Sequence, residues 1–316
     1  MSEYRLSTRD VAFVAVFAAL SFIVCKFVPG IPIIGGQGQI KFDAAMAPIY
    51  GLVIGPYLGF LAALFGGFIA ANSWFSIFTS FCTAISAMVV GLLTQKNYSS
   101  RSHSVRGWVV AAIILAVLII GWYMTWVGQR VLFYPIPHLA GLVAILATGE
   151  WISKSFKDGR EGKERKWFVR PYFILGGISI AVLSFIISRP FFDETWSVSA
   201  VSLPLYFLSG IVILYGLFGG GKGKFVATVG LASYCGLMAD HMLGNFIYIA
   251  SVGVFIPYDV IESTLSALNL PDFPSLFMYV LPISVVERIA LTAIATMFGV
   301  GLVYALYKAG LFHRKL

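Results

Sequence analysis

Charge is what this sequence has least of. Only 11% of its 316 residues are Asp, Glu, Lys or Arg, against 59% hydrophobic, and the mean hydropathy is +0.88. Soluble globular domains devote about a quarter of their residues to charge, so that class is excluded and the chain reads as an integral membrane protein. Cysteine is scarce as well. Cys25, Cys82 and Cys235 stand singly in apolar segments, which leaves no disulfide framework or CxxC metal site and makes them packing residues. HExxH, a metal-spaced cysteine set and a serine elbow are all missing, so neither a cofactor nor a resident metal is expected and catalysis has little support. "GGGKGK" at 219–224 lacks the Ser or Thr that follows the lysine of a phosphate loop, and reads as a short turn. The apolar runs are too long and too little alternating for barrel strands, which leaves helices to satisfy the backbone in lipid.

What is present is a series of apolar runs, at about 10–28, 42–55, 57–71, 75–95, 107–127, 132–153, 172–189, 200–218, 225–253 and 278–307. These predict an all-α integral membrane protein with about ten transmembrane helices. "MSEYRLSTRDVAF" carries no small-residue cleavage pattern, so the first run reads as a retained helix. Gly55-Pro56 favours two short helices over one long tilted helix between 42 and 71. With both termini cytoplasmic, 17 of the 22 basic residues fall on the inner side, including seven in "KSFKDGREGKERKWFVR", while the outer loop at 254–275 has Asp259, Glu262 and Asp272 and no basic residue. The seven tryptophans, Trp122 among them, lie near span ends, where an amphipathic ring is well accommodated. The net charge of +8 is therefore matched by anionic lipid headgroups, and no nucleic-acid partner is needed.

Small residues form two patterns. Gly51, Gly55, Gly59, Ala63, Gly67 and Ala71 recur at four-residue spacing in one column, and Ala12, Ala15 and Ala19 lie nearly on one face of the first helix. Such columns let membrane helices approach backbone to backbone. "STRDVAFVAVFAAL", a glycine-rich loop "PGIPIIGGQG", and "QIKFDAAMAPIYGLVIGPYLGFLAALFGG" together resemble the opening of a substrate-binding S component of the energy-coupling factor (ECF) vitamin transporters. "IKFD" followed by "GLVIGPYLG" is similar to the riboflavin-type branch, and "PISVVERIALTAIATMFGVGLVYAL" resembles the last helix of that family.

The resemblance implies a six-helix core made of residues 1–95 and 225–316, with inserted membrane helices and basic loops between them at 96–224. It also implies a substrate-capture subunit for a vitamin-like solute, riboflavin the first candidate, working with a transmembrane coupling protein and two ATPases. Ala15 and Ala19 match the alanine step that contacts the coupling protein, and the glycine-rich loop matches the lid.

Ionisable residues at membrane depth are functional candidates. Asp240 and His241, with Asn245 one turn on, and the adjacent Glu287 and Arg288 come to similar depth and form either an internal ion pair or the polar end of a substrate pocket, or both. Gln37, Gln39, Lys41 and Asp43 at the outer end of the second helix complete the candidate substrate-binding set, Asp43 also being a helix cap. His138 and Glu150 read as interfacial residues. Two other classes stay open: a self-sufficient transporter relaying protons through Asp240, His241 and Glu287, and a lipid-modifying enzyme using His241 and Glu287 as acid and base.

Overall fold

Ser7 starts the first helix, α1 (Thr8–Phe27). Its hydroxyl accepts from the Asp10 amide at 3.2 Å while the Asp10 carboxylate accepts from the Ser7 amide at 3.1 Å, a capping box that satisfies two free donors at the helix start. This is seen in a computed structural model that describes residues 7–28, 31–32, 39–40, 42–95, 98–99, 104–160, 175, 178–179 and 222–311. One side of α1 buries Phe17, Ala18 and Ser21, the last two against Gly66; the other side leaves Val11, Ala12, Ala15, Val16 and Ala19 exposed. Beyond α1 a two-residue antiparallel pair, β1 (Ile31–Pro32) with β2 (Gln39–Ile40), closes the base of the glycine-rich loop.

The next helix, α2 (Phe42–Ala70), is broken at Gly55, whose φ of 80° and ψ of −173° suit a residue without Cβ. Pro56 follows with its fixed φ and no N–H, as suits the first position of a new helix. The two halves fold back on one another. In a continuous helix Gly51 and Gly59 would lie about 12 Å apart, yet a Cβ on Gly59 would sit 3.0 Å from the Gly51 nitrogen. Each half is about 20 Å long, short of the roughly 30 Å of hydrocarbon. The single glycine column therefore divides at the corner. Gly51 presses on the Ala87 carbonyl of α3 (Trp74–Thr94), Gly91 of α3 presses on the Gly55-Pro56 corner, and Gly67 meets Ser80.

A second two-residue pair, β3 (Tyr98–Ser99) with β4 (Ser104–Val105), turns the chain into α4 (Gly107–Met124), which is followed by α5 (Ile136–Arg160). The described residues resume in α6 (Lys222–Ser251), then α7 (Tyr258–Ala267) and α8 (Phe273–Lys308). Six of these helices, α1 to α5 and α8, have the length and apolarity to cross a membrane. The protein is an all-helical membrane protein; among the described residues its strands are two-residue pairs. Eight of the ten predicted runs fall on described helices, counting both halves of α2, while 172–189 and 200–218 lie outside the described residues apart from three positions.

α6 is as long as its neighbours but less apolar, because it is central. Residues 232–240 are buried on every face, enclosed by α3, α5 and α8. Gly236 packs on Ser86 and Val90 of α3, Gly141 of α5 lies against Met238, and Gly299 of α8 lies against Leu52 of α2. One hydrophobic core runs through Phe17 of α1, Ile49 and Leu52 of α2, Val90 of α3, Leu115 of α4, Ile145 of α5, Val229 of α6 and Val303 of α8. α4 and α5 therefore share the core of the opening helices rather than forming a separate appendage. The loop at 254–275 holds the short helix α7, which the sequence does not announce.

Candidate functional site

The polar site is built on α6. Asp240 and His241 sit midway along it with Asn245 one turn further, and α8 brings Glu287 and Arg288 alongside. Arg288 donates through Nη1 to Asp240 Oδ2 at 2.7 Å, with only 12% and 7% of the two side chains exposed. Its Nη2 stands 3.5 Å from Glu287 Oε1, a longer contact. The ion pair expected as one reading of these residues is formed. Burial makes each charge dependent on its partner, since desolvating an unpaired charge is far more costly than desolvating a pair.

His241 faces away from that pair toward α5. Its Nδ1 lies 3.2 Å from His138 Nε2 and its Nε2 lies 3.4 Å from the Tyr134 hydroxyl; the two imidazoles stack with centroids 5.1 Å apart. His138 is fully buried, not interfacial as the sequence suggested. It sits on the inward face of α5 with Ile145 and Ile152, all three at 0% exposure and seven residues apart. That spacing was the available signal. Trp122 likewise ends α4 but points inward, stacked on Tyr134 at 4.6 Å and packed edge-on to Phe277. Glu150, by contrast, is exposed and pairs with Arg106 at 2.6 Å.

The first turn of α2 closes the other side. Ala44 and Ala45 pack with Leu237 of α6 and Leu291 of α8, one turn from Asp240 and Arg288. Asp43 thus comes within Coulombic range of Asp240. Its Oδ1 accepts from the Ala44 amide at 2.9 Å, and its Oδ2 accepts from the Cys25 thiol at 3.3 Å. Asp43 lies inside the first turn rather than at the cap position. Cys25 has this polar role beyond packing, whereas Cys82 and Cys235 are buried. Gln37 and Lys41 lie outside the described residues, and of Gln39 only the backbone pairing in β2 is described. The structure therefore brings Asp43, Asp240, His241, Asn245, Glu287 and Arg288 into one neighbourhood.

Several polar atoms there are buried without a hydrogen-bond partner: Asn245 Nδ2, Arg288 Nε, His138 Nδ1 and Trp122 Nε1. Native structures leave few such groups, and each needs an explanation. A small open cleft lined by Pro137, Tyr234, Met238, His241, Ser284 and Arg288 among others adjoins Arg288. Its cavity volume of about 10 Å³ is far below the roughly 300–1,000 Å³ of usual small-molecule sites. Among the described residues no group of three or more His, Cys, Asp or Glu is placed to hold a metal ion.

Residues 5–149 match the family model for the ECF-type riboflavin transporter, S component. Over those residues, just under half of the chain, the sequence is similar to the riboflavin-type ECF S components. That family is a transporter component, not an enzyme, so the lipid-modifying alternative is set aside. The match runs through α4 and into α5, which the sequence reading assigned to an insertion. An uncharacterized protein of Methanocaldococcus jannaschii is 26% identical over 163 residues, 49% of this chain and 51% of that protein; the chain thus spans about half the length of this curated relative. No solved structure matches the chain.

Proposed function

We propose that this protein is the substrate-capture subunit of an ECF-type importer, taking a vitamin-like solute from outside the cell, with riboflavin the first candidate. The observation that carries this reading is the family match over 5–149, joined to a buried polar cluster where α2, α5, α6 and α8 meet. Asp240 and Arg288 lock α6 to α8 and, with His241 and Asn245, form the polar end of the site. Gln37, Gln39, Lys41 and Asp43 supply further contacts to the solute, as the family resemblance implies.

A transmembrane coupling protein and two ATPases supply the energy, docking on the exposed face of α1 through Ala15 and Ala19. The small side chains of Ala15 and Ala19 permit the close backbone approach that sliding needs. Both termini lie in the cytoplasm, in keeping with the basic inner loops. That α4 and α5 fall within the family match and share the common core supports an added segment confined between α5 and α6.

Reconstitution tests this reading. Vesicles holding this chain with the coupling protein and ATPases are expected to accumulate radiolabelled riboflavin only with internal ATP; vesicles with the chain alone are not. One observation favours a second reading: the Tyr134, His241 and His138 chain of hydrogen-bonding groups is a route a proton could follow. Uptake by the chain alone, abolished by an uncoupler, would establish that reading instead.

A further inference from the structure

The inner end of α8 carries an apolar surface at a depth where its neighbour is charged. Asp240 of α6 meets Arg288 of α8 and Gly230 meets Thr296, so the two helices run antiparallel, and Phe225 and Gly301, each five residues further inward, share a level. Phe156 of α5 packs on Phe225, ring centroids 5.6 Å apart, and joins that level. It lies seven residues, about 10 Å, beyond Gly149, where Trp108 at the inner end of α4 packs. α4 is about 27 Å long and spans the hydrocarbon, which places Phe156 past its inner edge. There α5 exposes Lys154 and Lys157. α8 instead exposes Met297, Phe298, Gly301, Tyr304 and Ala305, with no charged residue between Arg288 and Lys308. Met297 and Phe298 are 72% and 59% exposed, and a Cβ on Gly301 would meet nothing within 4 Å.

An exposed apolar strip outside the hydrocarbon marks an interaction surface, and its surroundings say for what. Lys308 ends the strip, its Nζ 4.9 Å from the centre of the Tyr304 ring and without a carboxylate partner among the described residues. A second copy in the same membrane would set Lys308 against Lys308 across a twofold axis, a like-charge contact that opposes pairing. The exposed face of α1 flanks the same helix as the strip does: Tyr50 of α2 packs on Phe17 of α1, centroids 5.3 Å apart, while the adjacent Ile49 lies toward Gly299 of α8. Resting on the substrate-capture reading above, we infer that the strip is a second contact for the coupling protein. It takes a helix lying along the inner membrane surface, apolar where it crosses Gly301 and Ala305, whose small side chains admit a backbone, and acidic where it meets Lys308. With Ala15 and Ala19 on α1, it gives the motor two points of attachment, so that a force on the coupling protein turns the chain.

The test measures binding of the full chain in lipid nanodiscs to the purified complex of coupling protein and two ATPases. Gly301→Trp, which enters open space and should melt like wild type, is expected to weaken assembly on the order of tenfold or more. Lys308→Glu is expected to weaken it as well, and by less at high salt, where the charge is screened. A photo-reactive phenylalanine analogue at Phe298 should crosslink to the coupling protein. Assembly of Gly301→Trp at wild-type strength, or a crosslink from position 298 to a second copy or to lipid alone, overturns the inference; if Ala15→Trp still blocks assembly, the substrate-capture reading stands. Failure of the wild-type chain to bind the complex at all overturns that reading and the inference with it.

Discussion

Replacing Arg288 with Met keeps most of the side chain's apolar bulk but leaves Asp240 and Glu287 buried without a cation. Breaking a buried pair from one side costs about 3–5 kcal/mol, because the remaining charge stays desolvated. At about 1.4 kcal/mol per factor of ten, the unfolded fraction should rise on the order of a hundredfold to a few thousandfold. The loss should sit near the upper end, since Arg288 Nη1 is 2.7 Å from Asp240 and Nη2 is 3.5 Å from Glu287. A triple variant, Asp240→Asn with Glu287→Gln and Arg288→Met, removes the stranded charges and should recover most of the stability. The assay is thermal unfolding in nanodiscs, followed by near-ultraviolet circular dichroism and paired with ligand titration. The triple variant is expected to melt near wild type yet bind no solute. Wild-type melting of Arg288→Met alone would refute the buried pair, and a triple variant as unstable as the single would trace the loss to packing rather than charge.

Ala15→Trp and Ala19→Trp lie on the exposed face of α1, so stability should stay within about 0.5 kcal/mol; solute binding should persist while ATP-driven uptake is lost, and wild-type uptake would count against the docking face. Gly91→Leu drives a side chain into the Gly55-Pro56 corner and should destabilise by at least about 1–3 kcal/mol; an unchanged melting temperature would contradict the hairpin. Asp272 caps α8, accepting from the Ser275 amide at 3.0 Å and from its hydroxyl, and that hydroxyl bond first among several causes holds its carboxyl below the usual range. Its folded pKa being depressed, the cap's contribution is present above the unfolded value near 3.9 and fades as pH falls through the folded one. Asp272→Ala should therefore cost about 1 kcal/mol at pH 7, with the gap from wild type shrinking in acid; a gap that grows below pH 4 would refute the capping role.

The parts legible in sequence were those that local chemistry decides. Gly55-Pro56 announced the break in α2. The Asp240–Arg288 pair was readable because charges at membrane depth are rare enough to seek each other. The glycine column was read correctly as a face for close contact, but its continuity was not real: a single positive φ at Gly55 turns Gly51 and Gly59 to face one another. His138 was missed because its role depends on α6 crossing α5 at His241, which no local pattern encodes. α7 escaped for a different reason: it is only ten residues long with one buried residue, Ile261, and is too short and polar to register as an apolar run.

Mass spectrometry of the small molecules that copurify with the full chain is the most direct test of solute capture at this cluster. The account predicts one small vitamin-like solute, near one per protein, and absent from a stably folded Asn245→Leu variant. An empty wild-type protein, or a variant that retains the same molecule in equal amount, would contradict it.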